Sequence, residues 1–467
     1  MITPDRPDRQ YSTRLRTALV LTGTGTAGAY HAGVLRALHE AGVRIDLVAG
    51  RGIGALGAIF AAVDGGQRLW SSEGLWKHES VRGAYGWRTP LRVAGWALVA
   101  ACALLAIPVA LLAIGVLVAA VGALLWLLSL TGVSTAFTSA YARSIDALFA
   151  PTSLPTILPR LVVFCLLVAI GALAVSLGVA VFRAPLRRRV RPGGIWRLVG
   201  APLSANAVLD QTSIELWNLI RGAAPIAAPP RAELGRKYVD LQGFRELMLL
   251  AHDMDARRDM VFALLGDSQR ARFFTRPVLD GSRQAEAFDL AGVGREHLFD
   301  ALAASLTIPV ATDPHLIRFP AEGPWRGETH RLCDRPGSLE RLLEEVSVAG
   351  AEQVIVLSAA PPPARPHELS SGRADLRGRA GEQLGAFEAA ALRDAMERAA
   401  GRFAGLFLIR PAHNPLGPLD FGGVYDERSD RPYFLAELVD RGYEDAYRQF
   451  IDPVIAASGD RIERVQS

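Results

Sequence analysis

The sequence predicts an α/β domain interrupted by a transmembrane helical insert, and three observations carry that expectation. Near the start, an apolar strand-like run, a glycine turn and an apolar-faced helix follow one another twice. Further on, Val93 to Leu130 holds 38 residues without a formal charge, and Leu161 to Phe182 holds another 22. Arginines cluster beside these apolar runs, as they do on the cytoplasmic side of a membrane. A length of 467 residues exceeds one ordinary domain and suits one domain with a large insertion.

The first elements read as follows. Residues 1–14 are a polar tail without the apolar core of a signal peptide, so the first domain is expected to fold without export. Thr17–Thr22 reads as a buried strand. The loop Gly23-Thr24-Gly25-Thr26-Ala27-Gly28 leads into a helix with Val34, Leu35 and Leu38 on one face and Gly42 at its end. Val43 to Ala49 reads as a second strand, which meets Gly50-Arg51-Gly52-Ile53-Gly54 and a small apolar helix. Strand, Gly-x-Gly, helix also opens dinucleotide-binding folds, and Gly23, Gly25 and Gly28 have that spacing. Asp46, however, ends no matching acidic strand tip, and a second glycine cluster follows. No cofactor is expected.

The apolar runs set the middle of the chain. A span needs about 20 apolar residues, so 93–130 is too long for one simple helix. Pro108 offers a break, leaving 93–107 as a lead-in and placing crossings at about 108–130 and 161–182. A hairpin within 93–130 plus a re-entrant element is the alternative. The flanks read as two parts of one domain, so the number of crossings must be even. The expected organisation is therefore 15–90 first part, 91–183 insert, 184–234 basic juxtamembrane linker, and 235–467 second part with a C-terminal extension.

Charge orients this arrangement. Arg183, Arg187, Arg188, Arg189, Arg191 and Arg197 follow the insert with no acid among them, and Lys77, Arg82, Arg88 and Arg92 precede it. The connecting segment 131–160 has only Arg143, Asp146 and Arg160. The positive-inside rule then puts the main domain in the cytoplasm. Arg187, Arg188, Arg189 and Arg191 are also candidates for holding anionic headgroups, so membrane lipids are the expected partners. The net charge of +4 comes with no nucleic-acid motif. Three cysteines, Cys102, Cys165 and Cys333, form neither a disulfide framework nor a zinc pattern.

A G-x-S-x-G pentapeptide between strand and helix forms the nucleophile elbow of acyl hydrolases. Gly50, Gly54 and that context are present. With AGAYHAGVLRALHEAGV, ELMLLAHDMDARRDMVF from Glu246, ALAASLTIPV from Ala301 and EQVIVLSAAP from Glu352, the chain resembles the patatin-like phospholipase family over roughly 15–70 and 235–410. The resemblance implies a three-layer α/β/α domain, with EQVIVLSAAP as the closing strand of its sheet. It also implies a glycine-rich oxyanion loop at Gly23, Gly25, Thr26 and Gly28, an elbow at Gly50–Gly54 and an acid at Asp334.

The departures lie in the chemistry. Such enzymes use a serine as nucleophile, an aspartate as its base, and backbone N–H groups where negative charge develops. Gly52 stands at the serine position and can form no acyl-enzyme. Thr24 and Ala27 replace a glycine and a basic residue of the loop, and Arg335-Pro336 follow Asp334 in place of small residues. Proline fixes its own φ and restricts the residue before it, so Asp334 is not expected to be presented as in an active enzyme. The letters Val63-Asp64-Gly65-Gly66 read as a helix-ending turn. Thr26, Ser305 and Cys333 could be substitute nucleophiles but read as structural, and His31 and His39 as packing. The expectation is a membrane-anchored, catalytically inactive patatin-like protein that binds lipid or an unidentified protein partner. A hydrolase with a displaced nucleophile and a membrane scaffold protein are the alternatives.

Overall fold

The computed structural model describes residues 11–183, 200–241, 245–275, 285–292, 294–321, 325, 327–363, 372, 374–414, 416–426 and 431–455. The chain forms two compact units, one from Met1–Gly86 with Leu203–Ser467 and one from Trp87–Pro202.

The chain begins with β1 (Thr17–Thr22), α1 (Ala27–Glu40), β2 (Leu47–Arg51) and α2 (Gly54–Ala62). It then enters the second unit with α3 (Thr89–Leu127), α4 (Thr131–Leu148) and α5 (Leu154–Arg183). It returns through α6 (Asn206–Arg221), α7 (Arg231–Val239), β3 (Glu246–Asp253), β4 (Arg258–Leu264), α8 (Asp267–Phe274), β5 (Ala285–Asp289) and α9 (Leu298–Ser305). The remainder is β6 (His315–Arg318), β7 (Thr329–Cys333), α10 (Leu339–Val348), β8 (Gln353–Ser358), α11 (Leu376–Ala399), β9 (Gly405–Ile409) and α12 (Leu435–Ala446).

Among the described residues, nine strands make one mixed sheet in the order β9-β8-β1-β2-β3-β4-β5, with β7 paired to β3 and β6 to β7. From β9 to β3 every neighbouring pair is parallel. Parallel neighbours need crossovers, usually helical, and these bury both faces of a sheet. Accordingly β1, β2 and β8 are buried at every residue. Leu19, Leu21, Val48, Leu249 and Leu357 pack into one cluster with α1, α2 and α12 residues. Ala18, Val20, Ala49, Met248 and Val356 pack into another with α10 and α11 residues. The unit is thus helix, sheet, helix.

Two glycines bring α1 and α12 into backbone contact. A Cβ on Gly33 would lie 1.8 Å from the Val439 carbonyl oxygen, and one on Gly442 would lie 2.2 Å from that of Tyr30. Only hydrogen fits at either place.

In the other unit, α3 is a single 39-residue helix that runs straight through Pro108. Pro108 is therefore not the break expected from the sequence, and 93–107 is no separate lead-in. Proline removes one donor from the ladder, but long apolar turns on both sides offer no polar competitor for the backbone, and apolar helices tolerate such residues. Ala94 and Ala97 pack on Ala169 of α5. The connecting segment forms α4, folded back along the later half of α3. Ser134 donates to the Gly122 carbonyl at 2.7 Å, and the Tyr141 hydroxyl donates to that of Leu111. The helices over Thr89–Leu127 and Leu154–Gly178 are long and apolar enough to cross a membrane. The first candidate span therefore begins well before residue 108.

Two further sequence expectations need correction. Residues 203–234 are not a linker: Val208, Leu209, Leu216, Trp217 and Leu234 are buried in the α/β core, because α6 and α7 each carry an apolar face. Nor is β8 the last strand of the sheet, since β9 pairs outside it from Gln353↔Gly405 to Leu357↔Ile409. The second strand also starts later than expected, at Leu47, and runs on to Arg51.

Candidate functional site

The sheet brings the carboxyl ends of β1, β2 and β8 together, and there the chain turns from β1 into α1 and from β2 into α2. Gly52 makes the second turn with φ +57, in the left-handed region that glycine enters without steric penalty. A Cβ built on Gly52 would stand 2.2 Å from the Gly23 carbonyl oxygen and 3.0 Å from Asp334 Oδ2. The structure therefore brings Gly52, Gly23 and Asp334 to one point. Asp334 stays beside the elbow although Arg335 and Pro336 follow it. The Asp334 N–H donates to the Thr307 carbonyl at 2.9 Å, which fixes the backbone before Pro336 begins its short 3-10 turn.

Arg51, the last residue of β2, occupies Asp334. Its guanidinium is fully buried and uses all five of its N–H donors. Nε donates to Asp334 Oδ1 at 3.0 Å and Nη2 to Asp334 Oδ2 at 2.6 Å. Nη1 reaches Glu388 Oε2 at 2.6 Å and Nη2 reaches Oε1 at 2.8 Å. The remaining donor goes to Thr22 Oγ1 at 2.7 Å, and Thr24 Oγ1 donates to Glu388 Oε1 at 2.8 Å. Thr24 thus fastens the loop to α11.

The electrostatics follow from burial and the charge count. Burial works against the charge on Arg51, but Asp334 and then Glu388 outweigh it and hold its pKa above the ordinary arginine value. Burial likewise raises Asp334 above the usual carboxylate range, against the pull of Arg51, and the nearby Glu388 charge adds to the rise. The bidentate clamp engages one lone pair on each Asp334 oxygen and sets a fixed positive charge against the carboxylate, which lowers its basicity as a proton acceptor.

Two N–H groups close to the elbow are taken up internally as well. The N–H after the elbow residue, that of Ile53, donates to the Gly23 carbonyl at 2.9 Å. In the loop, Thr26 donates its N–H to the Pro418 carbonyl at 3.0 Å and its hydroxyl to Gly417 O at 3.0 Å. Gly25, at φ +60, lies so close to Pro418 that a Cβ would be 1.8 Å from its oxygen. Gly28 belongs to the first turn of α1, where a Cβ would meet the Trp76 ring at 2.1 Å, so it serves packing. Residues 417–418 lie over the loop.

The other candidates fall into structural positions. Burial pushes the Cys333 thiol up to about 12. The Ser305 hydroxyl donates to Ala301 O at 2.9 Å within its own helix. His31 is buried, with Nε2 on the Thr22 carbonyl at 3.1 Å, and His39 faces Trp70 at the other end of α1. Asp64 follows α2 and pairs with Arg245 at 2.5 Å. Arg187, Arg188, Arg189 and Arg191 lie outside the described residues. Sequence reasoning missed Arg51 and Glu388. Arg51 sits inside the elbow pentapeptide and could have been noticed as a charge ending an otherwise apolar strand. Glu388 lies in a long helix with no motif around it.

The family model of the patatin-like phospholipases matches residues 19–334. Over 45 residues the chain is 58% identical to patatin-like phospholipase domain-containing protein 6 of Mus musculus, and equally to that of Homo sapiens. That stretch is 9% of this chain and 3% of either relative, so the match spans a small part of their length. Among solved structures, VipD from Legionella pneumophila matches at 12% identity and a TM-score of 0.29, covering 94% of this chain and 67% of that one.

Proposed function

Because the chain belongs to the patatin-like phospholipase family, we propose that it is a membrane-anchored member whose hydrolase site has been converted into a structural core. One observation carries this reading: Gly52 offers no nucleophile, and the acid beside it is clamped by Arg51. In an acyl hydrolase the elbow side chain attacks the carbonyl, the acid takes its proton, and N–H donors hold the oxyanion. Here the first is absent, the second is bonded to a buried guanidinium, and the Ile53 and Thr26 N–H groups are bonded to backbone carbonyls. The substitute nucleophiles are engaged or held protonated.

The membrane part of the reading rests on α3 and α5, and its orientation on arginines flanking both sides of the insert. The α/β unit then faces the cytoplasm and meets lipid or a protein partner there without cleaving esters. The test is an acyl-ester assay of the purified full chain in lipid nanodiscs, with short-chain and phospholipid substrates beside a heat-killed control. Turnover at the control level is expected. Turnover above it that vanishes on Cys333→Ala or Thr26→Ala would overturn the reading.

A further inference from the structure

The α9–β6 connection carries an unusual residue. Val310 is 91% exposed and has φ +68. A single exposed valine is ordinary. A β-branched residue in the left-handed region is a strained outlier, and glycine or asparagine would serve if only a turn were required. The segment around it is firmly held. Thr312 donates to the Ile308 carbonyl through its N–H at 2.9 Å and its hydroxyl at 3.1 Å, while Ile308 itself is buried. The exposed Pro309 and Val310 form the tip of this loop.

The same loop is tied to both points where the chain leaves and re-enters the α/β unit. Tyr85, one residue before the unit's last residue Gly86, donates its hydroxyl to the Leu306 carbonyl at 2.7 Å. Leu203, the first residue after the insert, donates its N–H to the Ala311 carbonyl at 2.8 Å. Only Trp87 and Arg88 separate Gly86 from the start of α3. The exposed Arg82 lies just before this exit.

We infer that the 306–312 loop is a membrane-contact loop, whose Pro309–Val310 tip enters the headgroup region of the bilayer that receives α3 and α5. This rests on the membrane-anchored reading above. The face of the domain holding both chain exits is the face turned to the membrane, and the tip is its apolar projection. A rigid loop pays little additional entropy when it enters the interface, and a strained apolar residue at its end is then placed in lipid rather than water. Arg82 near the exit adds attraction to an anionic surface.

Depth-dependent quenching tests this on the full chain. In a Cys102→Ala, Cys165→Ala background, with Cys333 left in place because it is buried, single cysteines replace Val310, Gly401 and Leu112. Gly401 is exposed with open space around it and precedes β9, at the opposite end of the sheet. Leu112 is exposed on α3. Each variant carries an environment-sensitive fluorophore and is placed in nanodiscs of phosphatidylcholine and phosphatidylserine, with or without spin-labelled lipid. The expected result is strong quenching at positions 310 and 112 and none at 401. Quenching at 112 without quenching at 310 overturns the loop assignment and leaves the anchored reading standing. Absence of quenching at both overturns the anchored reading and the loop assignment with it.

Discussion

Arg51 Nη2 lies 2.6 Å from Asp334 Oδ2, deep in the α/β core and next to the elbow glycine. The pair joins two regions 283 residues apart, and Glu388 adds a third. Together they form a buried, hydrogen-bonded network at the ends of β1 and β2.

The first prediction follows from that network. Arg51→Met leaves Asp334 and Glu388 as two buried carboxylates without a counter-charge. Breaking one partner of a buried pair costs about 3–5 kcal/mol, and the variant should unfold at clearly lower temperature by intrinsic fluorescence. Adding Asp334→Asn and Glu388→Gln should recover part of the loss, because the uncompensated charges go. Unchanged melting of Arg51→Met would show that the network is not what holds the elbow.

Restoring the missing hydroxyl should not restore hydrolysis. Gly52→Ser places a Cβ 2.2 Å from the Gly23 carbonyl oxygen at φ +57, a conformation costing roughly 1–2 kcal/mol for an L-residue. The new hydroxyl would meet an Asp334 already bound to Arg51. Removing one oxyanion donor alone costs roughly 10²–10³ in rate, and here the Ile53 and Thr26 N–H groups are both engaged. Esterase activity of Gly52→Ser should stay at background, together with a lower melting temperature. Robust activity from this single variant would show a site intact but for its nucleophile.

A third prediction concerns pH. Burial lowers the His31 pKa from 6.5 to about 4, so the folded protein keeps this ring neutral where the unfolded chain protonates it. The unfolded state then binds the extra proton, and stability falls as pH drops from about 6.5 to about 4. The full effect is on the order of 3 kcal/mol. His31→Gln, which can still donate to the Thr22 carbonyl, should flatten the stability profile across this window. An unchanged acid limb in that variant would assign the loss to other groups.

Much of the local architecture was legible in the sequence, and the reason is physical. Strand and helix periodicities and glycine turns are short-range signals, so β1, α1 and α2 could be read directly, whereas the β3–β4 hairpin and α9 were legible only through the family resemblance. Gly52 and Asp334 could be picked out because motifs surround them. In the sequence Thr24 stands out only as the replacement of a loop glycine, whereas it is a hydrogen-bond donor to Glu388. That partnership spans 364 residues, and nothing local announces it. The same holds for β9, whose place is set by pairing with β8. At Pro108 a rule for soluble helices misled, because an uninterrupted apolar context sustains the helix.

The last prediction is topological. Reporter fusions or cysteine labelling should place residues 75 and 200 on the cytoplasmic side and residue 131, at the start of α4, on the other. Both flanks complete one sheet through the β2–β3 pairing, so finding 75 and 200 on opposite sides would contradict an even number of crossings.

That pairing also bears on how the protein is made. Leu47 lies beside Glu246 and Arg51 beside Leu250, yet the entire insert emerges from the ribosome between them. While α3 to α5 are being made, β2 waits with an open hydrogen-bonding edge, and β1 waits on its other side for β8. Late-arriving long-range partners leave apolar strands exposed to misassociation. Biogenesis of this chain should therefore depend on a holdase or on fast membrane delivery more than its folded stability alone would suggest.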